Sequence, residues 1–96
     1  MITEVKPTAP VLNLNGTSAE TLLEEYQDAY SAILKALRVV QQVTVNGRDY
    51  QTAPHGTYEK ARAEHLARLE KLQSIVLDFS AIIQDVQDQE DARKRR

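Results

Sequence analysis

From Ala19 onward the apolar positions recur at intervals of three and four, through Leu22, Tyr26, Ala29, Ile33, Ala36, Val40 and Val43, and Leu23, Tyr30 and Leu37 widen the stripe. That period follows the 3.6-residue turn and predicts an amphipathic helix over about 18–45. Gly16 breaks the chain just upstream, and Thr17-Ser18-Ala19-Glu20 has the spacing of a capping box, with Thr17 as the cap and Glu20 reaching back to it. Glu20, Glu24, Glu25 and Asp28 lie early and Lys35 and Arg38 late, the distribution that the helix dipole favours.

A second stripe runs through Leu69, Leu72, Val76, Phe79, Ile83 and Val86, joined on one flank by Ile75 and Ile82. It predicts a helix over about 58–91, roughly 50 Å long at 1.5 Å per residue and one to two turns longer than the first. Between the two lie Asn46-Gly47, Pro54 and Gly56, all turn signals, so 46–57 reads as the connection, with Thr57 as a cap and Glu59 in the first turn. Ahead of both helices, Pro7 and Pro10 fix φ and remove donors, which makes residues 1–16 an extended arm.

Two antiparallel helices with one connection form a hairpin, yet each stripe is wider than a two-stranded seam requires. Leu34, Leu66, Ile75 and Ile82 also call for burial, and Val11, Leu12 and Leu14 of the arm suffice to cover only part of that surface. The expectation is therefore an all-α fold: a two-helix antiparallel hairpin with an extended N-terminal arm, assembling into a homo-oligomeric helical bundle. The hairpin spans 17–92, and 93–96 form a basic tail.

Ninety-six residues make one domain with a small core. Without cysteine there is no disulfide or thiolate metal site, and an intracellular setting follows as the simpler expectation. No stretch approaches the ~18 apolar residues that a membrane span needs, and no basic start followed by an apolar run marks a leader. The formal charge is −2, but Arg93, Lys94, Arg95 and Arg96 are all basic, and the remaining eight basic residues face fourteen acidic ones. An acidic body argues against a nucleic-acid footprint on the folded part, leaving only the tail for weak binding.

Stepping back from Leu69 by the same intervals reaches His65, Arg62 and Tyr58, so the seam turns polar toward the connection. An antiparallel hairpin brings these residues opposite Val40 and Val43 and beside Arg48, Asp49 and Tyr50. The candidate ligand site is thus Arg48, Asp49, Tyr50, Tyr58, Arg62 and His65. Guanidinium groups fork onto phosphate oxygens, tyrosines stack on a base, and an imidazole donates a hydrogen bond. A purely structural role is the competing reading, in which Arg48 and Asp49 pin the loop as an ion pair and Tyr50 and Tyr58 plug the bundle end. His55, beside Gly56, reads as exposed, and Tyr26 and Tyr30 as core.

Catalysis has no constellation to rest on: no nucleophile stands beside an oriented base, and adjacent Glu64 and His65 point about 100° apart on a helix, so no metal site and no cofactor is expected.

Leu14-Asn15-Gly16-Thr17-Ser18-Ala19-Glu20, the turn Asn46-Gly47-Arg48-Asp49-Tyr50, and Ala63-Glu64-His65-Leu66-Ala67-Arg68-Leu69 together resemble small helical-hairpin accessory proteins of tailed bacteriophages and prophages. In size and architecture the chain is also similar to the phage sponges that sequester nucleotide signals of bacterial immunity, although none of their ligand-binding motifs is found here. The resemblance implies a non-enzymatic accessory protein in the cytoplasm of an infected cell, holding a linear or cyclic nucleotide in an oligomer. The alternative is an oligomeric interaction module, an adaptor for a virion or host protein. The third reading is a weak nucleic-acid binder through the basic tail.

Overall fold

The structure is a computed structural model that describes residues 6–95; the first five residues of the expected arm and Arg96 of the tail lie outside it. Two helices form an antiparallel hairpin, α1 over Ala19–Gln41 and α2 over Thr57–Lys94, and no strand occurs among the described residues. Tyr26 of α1 meets Phe79 of α2 with ring centroids 5.8 Å apart and tilted by 50°. Ala19 clusters with Ile82 and Val86, which places the start of α1 against the C-terminal half of α2.

The helix ends depart from expectation for local reasons. Ser18, not Thr17, caps α1: its hydroxyl accepts from the Thr21 N–H at 3.1 Å, one residue later than the capping box implied. That register lets Ala19, the first helical residue, sit buried in the core. α1 ends at Gln41, four residues early, with 3-10-type bonds from the Gln42 and Val43 N–H groups to the Val39 and Val40 carbonyls. The β-branched run Val43-Thr44-Val45 resists helix, so the seam spacing carries on to Val43 while the helix does not, and Val43 is exposed.

α2 starts at Thr57 from Gly56, whose φ of 89° lies in the left-handed region that glycine adopts without strain. Thr57 is thus the first helical residue and not the cap; its hydroxyl donates to the Pro54 carbonyl at 2.7 Å. At the other end α2 runs on to Lys94. Hydrogen bonds one turn apart support it, from Gln84 to Asp88 and from Gln87 to Asp91, and Glu90 lies 3.9 Å from both Arg93 and Lys94. Arg93 and Lys94 therefore belong to the helix, where cations complement its dipole, and α2 exceeds α1 by 15 residues, about four turns.

The arm covers part of this overhang. Pro7 lies by Ala81 and Asp85, and Leu12 by Gln89 and Ala92, so the arm follows the last turns of α2 before Gly16 reverses it into α1. Gln89 binds it as a strand would: its side-chain oxygen accepts from the Leu12 N–H at 2.9 Å and its amide nitrogen donates to the Pro10 carbonyl at 2.9 Å. Asp85 accepts from the same amide at 2.8 Å and fixes its orientation. Ala9 and Leu12 pack on the Ala19, Ile82 and Val86 cluster, whereas Val11 and Leu14, expected to share that role, are 77% and 96% exposed.

Candidate functional site

The connection between the helices consists of two locally bonded turns. Asn46 makes the first: its side chain accepts from the Arg48 N–H at 3.0 Å and its carbonyl from the Asp49 N–H at 3.0 Å, which winds Gly47–Tyr50 into a short 3-10 helix. The second closes through Thr57 N–H to the Pro54 carbonyl, and Ala53 N–H to the Tyr50 carbonyl joins the two. These bonds satisfy backbone groups that a long excursion away from α1 would otherwise leave to water.

The 3-10 helix packs on the first turns of α2. Gly47 lies over the Tyr58 ring, with room for a methyl group at ordinary contact distance, and the Tyr50 and Tyr58 rings stand 6.0 Å apart at 46°. Both tyrosines are half-buried, as a pair that closes the hairpin end. All three of Tyr58, Arg62 and His65 lie on α2, Tyr58 and His65 half-buried, whereas Arg62, which the spacing placed on the same seam, is exposed.

Arg48 and Asp49 are exposed, and the ion pair that was to pin the loop does not form: the ion pairs among the described residues both involve Glu90. Arg48 and Arg62 therefore offer guanidinium groups with no carboxylate on them, on either side of the tyrosine pair along the chain. His55 is exposed. Guanidinium groups and tyrosine rings are groups able to recognise an anion with a flat ring, and of the six candidate residues the structure brings the two tyrosine rings together. Among the described residues no group of three or more His, Asp or Glu side chains converges as a metal site would require.

Sequence reasoning missed the Gln89 clamp at the far end. Its signal was Ile75, Ile82 and Gln89 at intervals of seven, an amide taking the next place in an apolar row. Open depressions of about 390, 400 and 360 Å³ flank the arm there, and an apolar groove of about 240 Å³ runs between the helices along Leu22, Tyr26, Ala29 and Phe79. No helix among the described residues is long and apolar enough to cross a membrane. Comparison with known proteins finds no matching family model, no matching curated protein and no matching solved structure.

Proposed function

We propose that the chain is a non-enzymatic interaction module that works as a homo-oligomer of helical hairpins. The observation that supports this most is how little of the apolar stripe one chain covers. Among the described residues only Ala19, Val76, Ile82 and Val86 are buried, three of them at the arm end, while Leu66, Ile75 and Leu77 of α2 are exposed. The radius of gyration of 19.4 Å far exceeds the about 12 Å of a compact domain of this length. A hairpin 66 Å long and 20 Å thin has no second layer to bury its sides, and a further hairpin supplies one. The likeness to phage accessory proteins adds a setting, an adaptor between phage and host or virion components in the infected cell.

A second reading, capture of a nucleotide by that oligomer, is favoured by the exposed Arg48 and Arg62, which flank the Tyr50 and Tyr58 ring pair along the chain and have no ion-pair partner among the described residues. Native mass spectrometry of the purified chain, alone and with linear and cyclic nucleotides, tests both. The expected result is a discrete oligomer; a monomer overturns the assembly reading. If nucleotide adds stoichiometric mass, Arg48→Ala and Arg62→Ala should remove it and leave the oligomer intact. Loss of the oligomer in those variants makes the arginines structural, and an oligomer that retains no nucleotide leaves the adaptor reading alone.

A further inference from the structure

We infer that a second copy of this chain docks on one particular side of the hairpin, and the inference rests on the assembly reading above. The seams of both helices repeat every seven residues, so each position takes a heptad letter: Ala19, Tyr26, Leu69 and Val76 are a, and Leu22, Ala29, Leu72 and Phe79 are d. In an antiparallel pair the e positions of both helices border one side of the seam and the g positions the other. The arm belongs to the g side, because Ile82 packs under it and Gln89 clamps it, and both are g residues.

The two sides differ sharply in charge. On the g side and its outer neighbours at c stand Glu25, Asp28, Lys35, Arg68, Lys71 and Asp78, besides Glu64 and Asp85. Across α1 the e and b positions from Leu23 on are Leu23, Gln27, Tyr30, Leu34, Leu37 and Gln41. Across α2 they include Leu66, Gln73, Leu77 and Ser80. The charges on this side are Glu20 and Glu70 at b, its outer margin, and Glu59 at e, Asp91 at b and Lys94 at e toward the two ends of α2. A chain with 27% charged residues thus leaves the middle of one long side almost without charge, and there Leu77 is 62% and Leu66 43% exposed.

Charge depletion around an aromatic side chain such as Tyr30 marks the core of an interface, and the leucines supply apolar area around it. The occupant is a second copy because a two-fold interface sets a patch against itself. A charged patch would then meet its own sign, whereas leucines pack on leucines, and glutamine amides both donate and accept. The size also fits: Leu23 to Gln41 spans about 27 Å, and two packed helices are about 20 Å wide, giving roughly 1,100 Å² over both partners, at the lower bound for a specific interface. The product is a four-helix bundle with both arms on its outer flanks.

Sedimentation equilibrium of the full chain and two variants tests this. The wild-type chain should be a dimer; Leu77→Lys should weaken it on the order of 100-fold, since two unpaired ammonium groups enter one interface, with helicity by circular dichroism retained. Val39→Lys, exposed on the g side, should leave the dimer intact. An oligomer indifferent to Leu77→Lys, or one dissociated by Val39→Lys instead, overturns this choice of side while the assembly reading stands. A wild-type monomer overturns both. Should Leu77→Lys lose helicity, Gln73→Glu decides in its place: weakening supports the e side, and an unchanged dimer overturns it.

Discussion

Deleting residues 1–16 should lower the thermal midpoint by about 15 °C at matched chain concentration, corresponding to about 3 kcal/mol in a domain of this size. The arm's side chains Ala9 and Leu12 cover Ile82 and Val86, and its backbone at Pro10 and Leu12 satisfies the Gln89 amide. Removing it re-exposes part of the best-buried cluster in the molecule and strips Gln89 of two of its three partners. Gln89→Leu should give about a third of that loss, because the Leu12 N–H and Pro10 carbonyl lose a net hydrogen-bonding contribution of about 1 kcal/mol in a half-buried setting. Thermal unfolding followed by circular dichroism reads both. An unchanged midpoint in the truncated chain would mean that the arm merely rests on α2.

Val86→Ala should cost about 2 kcal/mol, from two methyl groups withdrawn from a site with no solvent exposure plus the cavity they leave. Among the described residues Val86 is the one fully buried large side chain, and Ala19, Ile82 and the arm pack around it, so little can collapse into the space. Val39→Ala, at a 55% exposed position, is the matched control and should shift stability by less than about 0.5 kcal/mol. Urea titration of the pair measures the difference. Equal effects at the two sites would show that the folded chain does not hold its core where Ala19, Ile82 and Val86 meet.

The helices and their antiparallel pairing were legible because burial leaves a periodic trace, and Tyr26 does meet Phe79 where the seams cross. Their ends were less so. Thr17 and Ser18 can both cap, Ser being the better of the two, and the register that Ser18 sets also buries Ala19, a tertiary effect that the capping-box spacing does not carry. Val43 satisfies the seam spacing but belongs to a β-branched run, and local stiffness outweighs periodicity once the partner helix no longer covers the site. The Gln89 clamp was invisible because its backbone partners lie 77 and 79 residues away.

At the connection, Asn46-Gly47 announced a turn, and the meeting of Tyr50 with Tyr58 follows once that turn folds onto the start of α2. The exposure of Arg48 and Asp49 did not follow, since adjacent opposite charges in a loop do not form an ion pair unless the backbone aims them together. The connection is long because two bonded turns are needed to carry the tyrosine pair over the hairpin end, and this closing role stands whether or not the arginines hold a ligand.

One hairpin, as proposed above, is an incomplete unit whose apolar side another copy covers. Small-angle X-ray scattering with absolute intensity calibration, over a dilution series of the full chain, tests it most directly. The expected result is a particle mass at least twice the 10.8 kDa of one chain, and a cross-section broader than a single hairpin. A folded, fully helical particle of 10.8 kDa with a radius of gyration near 19.4 Å, unchanged at every concentration, would contradict it.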